Sequence, residues 1–340
     1  MSVDAETVGL FRRELALCEV GPCQTVAVLS EGEQLLDYAE ASLRAASQLG
    51  AMVHHVHVPA FDAPGMNQRL SKIGQTTLSR HTEAIEICKS ADMVVDHMLL
   101  LFSAEQAAIQ QAGTRVLLVV EPVEILERLF PTTEMRMRVE AAERRLSAAR
   151  TLRFVNDAGT DATYHFADPP PVLTEYGYTA TPGRWDHWSG GFVAAIGQKG
   201  GVEGRVVMDA GDIIYPLRVF VDEPLEFVIR GGKVTEINGG AQAAMLRDMM
   251  ASHDDPRAYA VSHIGWGLHR ACAWDPALPG VGMDGRGHWG NVLFSLGPDT
   301  EFGGDNDTPC HFDLPMKACS LWLDDEPILD RGEVLPPDQR

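Results

Sequence analysis

Residues 25–30 read TVAVLS, a short apolar run, and residues 31–50 follow as EGEQLLDYAEASLRAASQLG. In that second stretch Leu35, Leu36, Ala39, Leu43, Ala46 and Leu49 recur at helical spacing, and Gly50 stands where a helix C-cap glycine belongs. A strand at 52–58, MVHHVHV, comes next. The alternation then repeats: strand 93–100, helix 104–112 closed by Gly113, and RVLLVV at 115–120, whose unbroken apolar character is that of a buried parallel strand. Strand–helix–strand units in series predict a doubly wound, Rossmann-like α/β domain over residues 1–150, left through a charged helix at 132–150.

Beyond residue 150 the texture changes to short strands among Gly, Pro and Trp. Residues 152–156 and 163–166 flank Asp157–Ala158–Gly159, and 227–230 and 233–237 flank Gly231–Gly232, so two hairpins are expected. One helix, at about 241–252, interrupts the strands. Residues 151–340 are therefore expected to form an α+β domain. The first domain offers no dinucleotide site: its first strand–helix turn, LSEGEQ at 29–34, has one glycine and two carboxylates where a pyrophosphate would sit.

The formal net charge of −20 argues against a nucleic-acid partner. No apolar stretch reaches 18 residues, and the N-terminus lacks the basic start and apolar block of a signal peptide, so a cytoplasmic protein with no membrane partner is expected, as is a homo-oligomer. Cys18, Cys23, Cys88, Cys272, Cys310 and Cys319 are scattered and form no CxxC pair, which fits small core or surface residues rather than disulfides or a zinc knot.

The chemistry concentrates in GGDNDTPCHFDLPM, residues 303–316. His311 and Asp313 are two apart, which on an extended segment puts both on one face and within reach of one ion. With a distant histidine, such a pair forms the two-histidine, one-carboxylate facial set of non-haem Fe(II) oxygenases, which leaves coordination positions open for substrate and O2. Alone the pair is a weak signal, since ordinary surface turns contain it too. His263, among the glycines of VSHIGWGLHR (261–270), is the preferred third ligand; a carbonyl-bonded core histidine is the plain alternative, and His269 and His288 compete. Those glycines would let backbone and ligand approach closely. Cys310 lies beside the pair and is not expected to be a ligand. His54, His55 and His57 form a second histidine group, but with no carboxylate. Residues 173–192, LTEYGYTATPGRWDHWSGGF, mix Trp185, Trp188, Glu175 and His187 with glycines. In a loop, this mixture suggests groups that cover a planar substrate and move its protons, or a packing segment whose tryptophans fill an interface.

Taken with GNVLFSLG at 290–297, these segments resemble the 2,5-dihydroxypyridine 5,6-dioxygenases of bacterial nicotinate and nicotine breakdown, across most of the chain. That family is related in fold to aminopeptidase T-type metallopeptidases, which hold two metal ions. Where the peptidases have Glu-Leu-Gly-Ile-Gly, Leu-Pro-Ala-Gly-Glu and Gly-x-x-His, this chain has HIGWG (263–267), WSGGF (188–192) and GNVL (290–293). Only the His311-x-Asp313 pair is shared, which implies a single iron in place of a dinuclear site. A metal-dependent aminopeptidase-like hydrolase is the alternative reading. The resemblance implies Fe(2+) on His263, His311 and Asp313, with a small aromatic N-heterocyclic substrate and O2 as reactants. It implies ring opening between C5 and C6 to N-formylmaleamate. It further implies that His187 deprotonates or anchors the substrate, that Glu175 orients it, and that Trp185 covers it. Arg286 and Ser295 would hold a ring oxygen or superoxide, and His97 would reach the cleft from the first domain.

Overall fold

The computed structural model describes residues 3–60, 76–101 and 103–340. In chain order the first elements are α1 (Ala5–Leu17), β1 (Thr25–Glu31), α2 (Leu36–Gln48), β2 (Met52–Val58), α3 (Thr82–Ser90), β3 (Met93–Asp96), α4 (Ala104–Gln111), β4 (Arg115–Leu118) and α5 (Val123–Arg128). Next come α6 (Thr133–Ala148), β5 (Thr151–Val155), β6 (Asp161–His165), β7 (Val172–Glu175), β8 (Trp185–His187), β9 (Phe192–Ile196), β10 (Val202–Met208), β11 (Ile213–Ile214) and β12 (Val219–Phe220). The rest are β13 (Leu225–Arg230), β14 (Lys233–Asn238), α7 (Ala241–Ser252), β15 (Val261–Gly267), α8 (Met283–Arg286), β16 (Val292–Leu296), β17 (Phe312–Met316), β18 (Ser320–Leu323), β19 (Glu326–Asp330) and β20 (Glu333–Val334).

Two compact units result: residues 1–132 with 176–190, and residues 133–175 with 191–340. The first is built on a parallel sheet in the order β2-β1-β3-β4-β8. Val26, Ala27, Val28 and Leu29 of β1, Val94 and Val95 of β3, and Val116 and Leu117 of β4 are fully buried, as their unbroken apolar runs require. β3 is shorter than the expected 93–100 because Asp96 turns the chain: its carboxylate accepts from the Met98 and Leu100 amides at 2.7 and 2.8 Å.

The second unit holds an eight-stranded sheet in the order β14-β13-β10-β6-β5-β18-β19-β20 and a five-stranded one in the order β17-β16-β15-β9-β7, both antiparallel, together with the small β11-β12 pair. Both expected hairpins are present as β5–β6 and β13–β14. The expected helix at 241–252 is α7.

This division departs from a cut at residue 150 in two ways. α6 belongs to the second unit, where it packs on β7 and β9. The segment 176–190, read as part of a loop in the second domain, returns to the first and adds β8 to its parallel sheet. A buried carboxylate fixes that return: Asp186 accepts from the amides of Tyr176 (3.1 Å), Gly177 (2.8 Å) and His187 (2.9 Å) and pairs with Arg184 at 2.6 Å. Burial pushes its pKa up, against the pull of Arg184 and the backbone donors. A three-residue strand held mainly by one carboxylate carries too little periodicity to be read from sequence. Among the described residues, no helix is long and apolar enough to cross a membrane.

Candidate metal centre

In the five-stranded sheet β15, β16 and β17 lie side by side, and antiparallel register puts Ser295 of β16 opposite Asp313 of β17. The β15–β16 register shifts between Val261 and Ile264, so Ser262 and His263 occupy a bulge, the device by which a strand re-aims a side chain. His311 immediately precedes β17 and shares the face of Asp313, as its two-residue spacing requires. One ligand atom from each of His263, His311 and Asp313 falls within 4.8 Å of the others. Asp313 Oδ1 is 3.1 Å from His311 Nε2 and 3.4 Å from His263 Nε2. Ligands about 2.1 Å from an octahedral ion stand about 3 Å apart when adjacent, so the two distances from Asp313 suit adjacent positions on one ion.

The electrostatics suit a cation as well. Burial pushes the His263 imidazole below its usual pKa, only partly offset by Asp313, so it is neutral at neutral pH. Burial would raise Asp313, but the charges of His311 and Arg286 and the hydrogen bonds of both histidines outweigh it and hold the carboxyl well below the usual range. Neutral imidazole and ionised carboxylate are the ligating forms. Arg286 Nε donates to Asp313 Oδ2 at 2.5 Å, which reserves Oδ1 for an ion and favours one-oxygen coordination. Ser295 Oγ donates to Asp313 Oδ1 and lies 2.8 Å from His263 Nε2. On the far side of that ring, Ser262 Oγ lies 3.5 Å from Nδ1, and Phe302 stacks on the imidazole with centroids 5.5 Å apart.

Arg286 is itself held. Tyr215 lies 5.2 Å beneath its guanidinium, and the Tyr215 hydroxyl accepts from the Gly285 amide at 2.8 Å. A Cβ on Gly282, which has φ +96°, would come within 2.6 Å of the Tyr215 ring, so GMDGR needs its glycines to bring α8 this close. Gly265 and Gly267 work likewise: a Cβ would strike the Val193 carbonyl at the first and the His288 carbonyl at the second. The close approach here is of backbone to backbone.

The structure thus brings together His263, Ser295, Arg286, His311 and Asp313. The competing histidines stand outside the trio. His269 Nδ1 accepts from the Ala271 amide at 3.2 Å, and His288 Nδ1 meets the Trp289 carbonyl at 3.1 Å with its ring edge-on to Trp274. Burial pushes the Cys310 thiol up to about 12, and its sulfur is not among the ligand atoms that converge.

The remaining expected residues are described within their own units. Glu175 is buried at the end of β7 in the second unit. Trp185 and His187 are buried in β8 of the first unit, their rings 6.4 Å apart. His97 is committed to the first unit's core: Nδ1 meets the Val119 carbonyl at 2.8 Å and Nε2 meets Ser42 Oγ at 3.0 Å. Sequence reading missed Ser262, Tyr215 and Phe302. Ser262 could have been suspected as a neighbour of His263; the other two carry no local signal.

A family profile for 2,5-dihydroxypyridine 5,6-dioxygenase matches residues 6–336. The chain belongs to that family. A 2,5-dihydroxypyridine 5,6-dioxygenase of Pseudomonas putida KT2440 is 40% identical over 343 residues, covering 99% of this chain and 98% of that protein. The solved structure of 2,5-dihydroxypyridine dioxygenase from Pseudomonas putida KT2440 superposes with a TM-score of 0.95 at 40% identity, covering 99% of both chains. AmpT from Thermus thermophilus matches with a TM-score of 0.64 at 13% identity, covering 97% of this chain and 99% of that one, which shows a shared aminopeptidase T-like fold. As a member of the 2,5-dihydroxypyridine 5,6-dioxygenase family, this chain is an oxidoreductase of the dioxygenase class.

Proposed function

We propose that this chain is an iron(II)-dependent, extradiol-like dioxygenase that opens 2,5-dihydroxypyridine between C5 and C6 with both atoms of O2, yielding N-formylmaleamate. The observation that carries the reading is the largely buried trio of converging ligand atoms, with its one carboxylate tied at Oδ2 by Arg286, in a member of this family. His263, His311 and Asp313 would hold the ion. Fe(II) there would supply open coordination positions for substrate and O2 and a path for electron density from the ring to O2.

The protein's own groups do the rest. Arg286 and Ser295 keep Asp313 ionised and oriented, so the ligand set keeps its shape between turnovers. In this reading Arg286 acts on the ligand, with its Nε on Asp313 and its Nη1 on the Val281 carbonyl. A phenol-like substrate hydroxyl has to lose its proton to ligate well. We assign that proton to His187, an enclosed imidazole beside Trp185, with Glu175 orienting the substrate. His187→Ala should lower kcat/KM by about 10²–10⁴ with iron content unchanged; a normal rate per folded molecule would remove the role. A hydrolase with two metal ions would need a second cluster, and among the described residues the trio is the one group of at least three such side chains that assembles.

The test is anaerobic loading with Fe(II), then O2 uptake with 2,5-dihydroxypyridine and identification of the product. One O2 consumed per ring opened is expected. Hydrolysis of a peptide amide without O2 uptake would overturn the reading.

A further inference from the structure

Beside the trio, the 3₁₀ turn Thr300–Phe302 carries two polar atoms that the protein leaves unserved. Thr300 Oγ1 and Glu301 Oε1 are both enclosed, and neither has a hydrogen-bond partner among the described residues. A buried polar atom without a partner costs about 1–3 kcal/mol, so two on adjacent residues call for an explanation. The turn is no loose end. Asp299 Oδ1 accepts from the Asn306 amide at 2.8 Å, the Phe302 amide donates to the Asp299 carbonyl at 3.0 Å, and Asn306 Nδ2 donates to the Gly297 carbonyl at 2.7 Å. It is also tied to the candidate metal centre, because Phe302 stacks on the His263 ring.

Glu301 lies just outside the ligand atoms. It is not one of the three that converge, yet its carboxyl is close enough to Asp313 and Arg286 to feel their charges. A ring anchored at the metal through its 5-hydroxyl would turn its opposite edge, with the ring nitrogen and the 2-oxygen, away from the metal toward the flanking groups, since positions 2 and 5 are para. We propose that Glu301 is a specificity-determining residue whose carboxyl hydrogen-bonds the N1/C2-oxygen edge of the substrate. The proposal rests on the substrate reading above. A carboxyl group suits that edge because its hydroxyl donates to a ring nitrogen or oxygen while its carbonyl accepts from N–H or O–H. The surroundings favour the protonated form: burial, and then the negative charge of Asp313, push Glu301 up to about 8 against the pull of Arg286.

The test compares anaerobic binding of 2,5-dihydroxypyridine with that of benzene-1,4-diol, which keeps both oxygens and replaces the ring nitrogen with CH. Wild type, Glu301→Gln, Glu301→Ala and Glu301→Met are measured in the iron-loaded state, with iron content and circular dichroism recorded for each. Wild type should prefer the pyridine. Glu301→Ala and Glu301→Met should bind it about 10–100-fold more weakly while changing diol affinity less than about 3-fold. Glu301→Gln, still able to donate and accept, should stay within about 5-fold of wild type for both ligands. Should Glu301→Ala fail to fold, the near-isosteric Glu301→Met carries the comparison. Equal losses on both ligands, or loss of iron, would overturn the proposal, as would variants that match wild type. A wild type that binds the pyridine no better than the diol would also overturn it, and one that binds neither ligand would overturn the substrate reading itself.

Discussion

Among the described residues, His55 and His57 on β2 and His311 and Asp313 at the start of β17 each put ligand-type side chains two residues apart on an extended segment. By spacing alone they are equivalent. β2 is an edge strand, its imidazoles are exposed, and both turn to one hydroxyl, with Ser30 Oγ 2.9 Å from His55 Nε2 and 3.0 Å from His57 Nδ1. The β17 pair instead meets a third ligand-type side chain from the bulge of β15, is largely buried, and includes a carboxylate whose charge is held by Arg286. A two-residue period supplies two ligand atoms and no more. The β17 pair brings its own carboxylate, the third atom comes from the bulge of a neighbouring strand, and the register there is what separates a candidate metal centre from a pair of surface histidines.

The most drastic way to break that comparison is to remove one of the three. His263→Ala, His311→Ala and Asp313→Ala should each abolish turnover and iron retention, read by metal analysis and O2 uptake, with circular dichroism little changed. A variant that keeps near-normal iron and rate would strike its residue from the centre. A step down, Arg286→Leu leaves the trio intact but releases Asp313 Oδ2. Iron affinity should fall about 10–100-fold, the usual effect of losing a group that orients a ligand. The metal-free protein should lose roughly 2–3 kcal/mol on chemical denaturation. That is less than the about 3–5 kcal/mol typical of breaking a buried ion pair, because Ser295 still donates to the carboxylate.

Acid sharpens the contrast more gently. His263 has its pKa depressed below the ordinary 6.5, so the folded protein keeps this imidazole neutral as pH falls through 6.5. Protons therefore compete with iron at this imidazole only below that pH, and at Asp313 lower still. Dialysis should show iron retained at pH 6.5–7 and lost toward pH 4; half-loss at pH 7 would contradict the depressed value. The smallest effect belongs to the edge strand. His55→Gln with His57→Gln should leave iron stoichiometry and rate unchanged, and loss of iron there would move the centre to the first unit.

Much of this was legible in the sequence. Unbroken apolar runs gave β1 and β4, the Gly-Gly turn gave the β13–β14 hairpin, and the spacing of His311 and Asp313 announced a shared face. What was not legible is what depends on distant partners. β8 exists because Asp186 gathers three amides, and no periodicity in three residues reports that. The first domain was drawn through residue 150 because α6 reads as a continuation of the helical half, although its apolar face packs on β7 and β9. The contacts of His97 are equally out of reach of a local reading, since the carbonyl and hydroxyl that meet its nitrogens lie 22 and 55 residues away. Phe302 and Glu301 sit in a turn whose relation to His263 is purely tertiary.

The central claim is that these three side chains hold a single iron. Anomalous scattering collected on both sides of the iron absorption edge, from crystals of the Fe(II)-loaded protein, tests it most directly. The expected result is one iron peak per chain, about 2.1 Å from His263 Nε2, His311 Nε2 and Asp313 Oδ1. A peak at His55 and His57, two peaks per chain, or none within reach of Asp313 would contradict the account.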